Sequence, residues 1–132
     1  MNLDELADRL ETAADQIGPV VERRMRHVGT LGVARIKANA SGRPGPMVRN
    51  TEEPNYRDSW KSVPSGIPYG AECVIGTAKP QGKRLEFGFV GPDSLGRVYN
   101  QPPFPHVQPA LEFIEDTLHE QMRAAVGEIL DD

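Results

Sequence analysis

The chain has 132 residues, 38% of them apolar and 26% charged, with a formal net charge of −4. That length suits one domain, residues 1–132, around one modest core, and a pI near 5.4 argues against a dedicated nucleic-acid binder. No apolar run approaches the roughly eighteen residues of a membrane span, the acidic start "MNLDELADRL" is unlike a secretion signal, and Cys73 has no second cysteine to pair with.

Residues 1–39 predict a long helix. Asn2 can cap it, and Asp4 and Glu5 stand in the first turn, where the helix dipole favours anions. Apolar residues recur at Leu3, Leu6, Leu10, Ala13, Ile17, Val20 or Val21, Val28, Leu31 and Ala34, one stripe with a period near 3.5. Gly18-Pro19 interrupts the stripe, which resumes in phase, so one kinked helix is expected in preference to two halves folded at a hinge. A helix of about 35 residues is about 50 Å long, more than a domain of this size covers. Part of the stripe must therefore face something other than the chain's own core, a first hint of oligomerisation.

Residues 40–55, "ASGRPGPMVRNTEEPN", hold too little apolar surface to offset the entropy of ordering them, and read as a mobile Gly/Pro arm. Arg35, Lys37, Arg43 and Arg49 lie on or just before this arm and are the candidate contacts to a partner or to DNA. Residues 56–100 predict a small antiparallel sheet of three to four strands. Its expected strands are "YRDSWKSV" as far as Pro64, "AECVIGT" at 71–77, "LEFGFVG" at 85–91, and a short fourth at Arg97–Tyr99. "AKPQGKR" reads as the turn of a hairpin between the second and third. Residues 101–108 form a proline run, and Pro109 is well placed as the first residue of a last helix, 109–130. Its apolar face is Leu111, Ile114, Leu118, Met122, Ala125 and Ile129. The expected fold is α+β, with the C-terminal helix packed on the sheet.

Charge is segregated along the chain. Residues 1–19 carry five acids against Arg9, residues 20–50 carry seven Arg or Lys against Glu22, and seven acids oppose Arg123 from Leu111 onward. Such bands suit either a folded monomer or stacked subunits whose opposite bands meet.

Catalytic chemistry is not legible. His27 sits beside Arg26 on the first helix and reads as a surface residue; His106 lies in the proline run without a ligand-type neighbour. Glu115 and His119 share a helix face, the geometry of half a metal site, but such a pair is common on an acidic helix. Cys73 reads as a small apolar strand residue. "GKR" at 82–84 lacks the rest of a phosphate-binding loop, and the glycines at 88, 91 and 96 are not in dinucleotide-binding spacing. No catalytic, cofactor or metal residue is assigned, and no enzyme activity is expected.

Four motifs in order do carry a resemblance. These are Tyr56, Arg57 and Ser59 in "YRDSW"; Ile75, Gly76 and Thr77 in "VIGT"; Glu86, Phe87 and Gly88 in "EFG"; and Pro105, Pro109, Ala110 and Leu111 in "PHVQPAL". With the long first helix and the Gly/Pro arm, this order resembles the neck, or head–tail connector, proteins of long-tailed bacteriophages, including tail-completion and minor tail components. The resemblance implies a structural virion protein, present in the host cytoplasm before assembly. It would form a homo-oligomeric ring joining the head-closure layer to the tail tube or tail terminator. Double-stranded DNA would pass through the lumen without sequence-specific binding. A tail terminator capping the tube, and a small nucleic-acid-binding or host-directed regulator using Arg23–Arg49, are the alternatives. In the ring reading the prolines are a stiff strap that sets the angle of the last helix, with Phe104 and Val107 as anchors; a partner-binding PxxP at Pro102–Pro105 is the rival.

Overall fold

The computed structural model describes residues 1–41, 56–80, 82–92 and 95–130. Helix α1 spans Leu3–Ala40, and its start is built as the sequence anticipates. The Glu5 amide donates to Asn2 Oδ1 at 2.8 Å and the Asn2 amide to Glu5 Oε2 at 3.3 Å, a reciprocal capping box. At the other end Ser41 donates its hydroxyl to the Lys37 carbonyl at 2.7 Å. The helix runs unbroken through Pro19, which is exposed, so the hinged alternative does not form. At 1.5 Å per residue its 38 residues extend about 57 Å.

After a single 3₁₀ turn, Arg57–Ser59, strand β1 (Lys61–Ile67) pairs antiparallel with β2 (Gly70–Gly76). Pro68 and Tyr69 make the two-residue turn between them, with Tyr69 at φ 58, a left-handed conformation that glycine or asparagine adopts more cheaply. Helix α2 (Gly82–Phe87) follows, then β3 (Phe89–Pro92), which pairs antiparallel with β4 (Val98–Gln101). The last helix, α3, spans Gln108–Leu130.

The class is α+β, as expected, but among the described residues a single sheet of three to four strands does not form. The strands make two separate two-stranded ribbons. Two local corrections explain this. Residues 56–60 do not extend as a strand, because Tyr56, Ser59 and Trp60 all turn into the core. The strand begins at Lys61 and passes through Pro64, which a ribbon tolerates because each of its strands is an edge and need not donate at every position. Residues 85–91 alternate like a strand, yet the first three belong to α2. That helix ends at Gly88, which takes φ 82 and donates its amide to the Arg84 carbonyl at 2.8 Å, the left-handed stop that glycine permits. Among the described residues the expected hairpin at 78–84 is therefore absent, and the strands pair as β1–β2 and β3–β4.

The core sits where α1, the 3₁₀ turn, α2 and α3 meet: Ile36, Ala40, Tyr56, Trp60, Leu85 and Ala110, with Ile75, Phe104, Val107 and Ile114 packed against them. Two glycines of α1 permit this closeness. A Cβ on Gly29 would lie 2.5 Å from Cys73 Sγ, and one on Gly32 would lie 2.9 Å from Ile75 Cδ1 and 3.2 Å from Ile114 Cγ1. Each glycine costs about 1 kcal/mol of helix propensity relative to alanine. That cost lets the β1–β2 ribbon seat on one side of α1 and lets Ile114 close in beside Ile75. Helix α3 runs antiparallel to α1, from His106 beside Asn39 to Glu128 beside Arg23.

Candidate functional site

Two features of the chain are built beyond what a plain core requires: a buried polar knot at the start of α3, and exposed apolar surfaces at the start of α1 and on the β1–β2 ribbon.

The knot gathers most of the motif residues. Glu86, on α2 beside the core residue Leu85, turns its carboxylate to the start of α3. There it accepts the amides of His106 at 2.8 Å, Val107 at 3.1 Å and Gln108 at 2.8 Å. These are the amides that a helix N-terminus leaves without intrahelical partners, and the negative charge also suits the positive end of the helix dipole. Burial alone would push the Glu86 carboxyl up, but the three amide donors outweigh it and hold the pKa below the ordinary carboxylate value.

His106 is fully buried. Its Nδ1 lies 2.8 Å from the Phe104 carbonyl, which can only accept, so Nδ1 carries the proton and Nε2 accepts from the Tyr56 hydroxyl at 2.6 Å. Glu86 Oε2 stands 3.1 Å from the same Nδ1. Edge-on Tyr56 and Trp60 rings enclose the imidazole. Burial pushes the Tyr56 hydroxyl up to about 12, which keeps it a donor at neutral pH. A second relay runs from the Lys79 amide to Thr77 Oγ1, on to Ser59 Oγ, and from Ser59 to the Tyr56 carbonyl.

The proline run is tied down on both sides. Phe104 donates its amide to the Leu85 carbonyl at 2.7 Å, and Asn39 donates to the His106 carbonyl at 3.1 Å. Phe104 and Val107 pack on the core, as the strap reading anticipates.

Of the motif residues, Tyr56, Ser59, Glu86 and Ala110 therefore converge on one buried locus. Gly88 supplies the helix stop. Arg57 pairs with Asp58 on the surface, Gly76 ends β2, Phe87 is 74% exposed, and Pro105 and Pro109 are exposed. Sequence reasoning treated His106 as an ordinary loop residue and so missed the centre of the knot. Its partners Tyr56 and Glu86 lie 50 and 20 residues away, and nothing local announces them.

Of the four arm candidates, Arg43 and Arg49 lie outside the described residues. Arg35 places its guanidinium 4.1 Å over the Phe113 ring, and Lys37 is half-buried near the end of α1. The basic band is partly answered within the chain. Arg23 binds the Glu128 carboxylate, which the Arg23 hydrogen bond holds below its usual pKa; Arg24 donates to Gln121 at 3.1 Å; Arg26 lies 3.6 Å from Glu22. Among the described residues no group of three or more His, Cys, Asp or Glu converges as a metal site, and Glu115 and His119 stand 3.9 Å apart on an exposed face. Among the same residues no helix is long and apolar enough to cross a membrane.

The exposed surfaces are the second feature. Glu128, two residues before the end of α3, sits beside Arg23, and the first turns of α1 are exposed: Leu3 83%, Leu6 42% and Leu10 57%. Leu6, Leu10, Ala13, Ile129 and Leu130 line an apolar notch of about 360 Å³ there. On the β1–β2 ribbon, Ser62, Cys73 and Ile75 face α1, which leaves Val63 and Val74, directly paired across the strands, pointing outward at 62% and 63% exposed. Val63, Val74, Ala78, Lys61 and Lys79 border a shallow depression of about 650 Å³.

No protein-family model, no curated protein and no solved structure matches this chain.

Proposed function

We propose that this chain is a structural subunit of the neck of a long-tailed bacteriophage. With copies of itself it forms a ring between the head-closure layer and the tail tube, around the passage for double-stranded DNA. The reading starts from the ordered motifs of residues 56–112. Those motif residues that turn inward serve to hold one strap and one helix start in place, a structural use that suits a subunit making and breaking no bonds.

One observation carries the proposal: among the described residues, the apolar stripe of α1 is left exposed at Leu3, Leu6 and Leu10. Isolated exposed leucines are ordinary, but a row of them in phase on a projecting helix is a surface made to be covered. Heterologous contacts between such surfaces close into rings where the rotation from copy to copy closes. An acidic overall balance keeps the wall of a DNA passage from gripping phosphates.

The test is genetic and physical. Phage carrying a deletion of this gene should accumulate DNA-filled heads and free tails, separable by sedimentation, and adding the purified chain should restore joining. Heads and tails that join normally without it would refute the assignment.

A further inference from the structure

We propose that the projecting start of α1 docks on the outer face of the β1–β2 ribbon of a second copy, head to tail. The inference rests on the reading of this chain as a self-assembling subunit, and names the contact that assembly uses.

Both surfaces are apolar, exposed and matched in size. The projecting segment presents Leu3, Leu6 and Leu10 over about 11 Å of helix. The ribbon presents Val63, Val74 and Ile67, and the stretch from Val63 to Ile67 runs about 13 Å. A lone two-stranded ribbon is marginal in water unless it packs against a helix or further strands. Helix α1 covers one face; the other has Val63 and Val74 in register and open.

Charge chooses the occupant. The segment before Gln16 carries Asp4, Glu5, Asp8, Glu11 and Asp15 against Arg9. The depression it would enter is bordered by Lys61 and Lys79. Glu72, the acid at the other end of that face, finds in Arg9 the base that the incoming helix carries. A pairing of two projecting helices would instead bring two acidic segments together.

The docking cannot occur within one chain. The ribbon seats at Gly29, nineteen residues beyond Leu10 on the same continuous helix, about 28 Å away. The contact therefore joins different copies through different surfaces, which propagates around a ring.

Complementation tests it. Two variants are made, Leu6→Glu with Leu10→Glu, and Val63→Glu with Val74→Glu; none of the four side chains belongs to the buried core, so melting temperature and far-ultraviolet circular dichroism should match the wild type. In sedimentation velocity, self-association of each variant alone should weaken about 100-fold, the loss of two buried apolar side chains. Mixed together, they should form a one-to-one dimer that grows no further, because each retains one intact surface. A wild-type chain that never self-associates, either variant assembling like the wild type, or a mixture that stays monomeric would each overturn the contact. Assembly that ignores both variants leaves the neck proposal standing, whereas normal head–tail joining in the deletion phage removes that proposal and leaves this contact untouched.

Discussion

Replacing Glu86 with alanine removes a single carboxylate that satisfies three backbone amides, and the consequence can be worked from their burial. His106 is fully buried and Val107 half-buried, so water does not readily replace the lost acceptor at either, while the exposed Gln108 amide rehydrates. A buried donor left without a partner costs about 1–3 kcal/mol, and the loss of a helix cap costs about 1 kcal/mol. The total expected is about 3–5 kcal/mol, a large share of the roughly 5–15 kcal/mol that holds a domain together. For a chain of this length that corresponds to a melting temperature roughly 10–20 °C lower.

Thermal and urea melts followed by circular dichroism at pH 7 measure it, with Glu86→Gln as a control that keeps the shape and one acceptor oxygen. The pH dependence carries a sign. Because the folded-state pKa of Glu86 lies below its ordinary value of 4.5, its stabilisation is fully present above that value. It is lost as pH falls through the lower, folded-state pKa. The gap between wild type and Glu86→Gln should therefore close on acidification below pH 4.5. An alanine variant that loses less than about 1 kcal/mol, no more than an ordinary cap, would refute the reasoning, as would a gap that stays constant with acidification.

The remaining expectations test other joints of the fold. Tyr56→Phe leaves His106 Nε2 buried without its donor and should cost about 1–3 kcal/mol in urea melts. In a spectrophotometric titration it should also abolish the tyrosine transition pushed up to about 12. Since that folded-state pKa is raised, the interaction stabilises below pH 10 and is lost as pH rises toward 12. Gly29→Ala forces a methyl against Cys73 Sγ and Ser62 Cβ; overpacking should cost about 1–3 kcal/mol despite alanine's better helix propensity, and adding Cys73→Ala should recover part of the loss. Pro19→Ala restores a donor within α1 and should slow amide exchange over residues 3–18, the local helix gaining up to about 3 kcal/mol; unchanged exchange would show that the proline does not weaken it.

Some of this architecture is legible within a few residues of chain. Asn2 and Glu5 announce the start of α1 because a capping box closes over three residues, and the leucine stripe announces its face because the helical period needs only one turn to declare itself. The excess of helix over core is visible in the same way, from rise per residue alone, and the structure places that excess at Leu3–Leu10. Segment 85–91 misleads by the same local logic. Leu85, Phe87 and Phe89 alternate as a strand would, yet Gly88 can take a left-handed turn and Leu85 finds a core, so a short helix forms there.

What local pattern could not supply was decided by partners far away in the chain. His106 became the centre of a polar knot because folding brought Tyr56 from one side and Glu86 from another, and no spacing rule links those three positions. Gly29 and Gly32 look like weaknesses in a helix until the ribbon and Ile114 arrive against them. By itself the sequence determined the two long helices and the surplus length of the first, since caps and periods act over single turns. Only the tertiary structure decided that the strands divide into two ribbons, and which side chains share the interior, because those choices depend on burial between segments that meet only after the chain has folded.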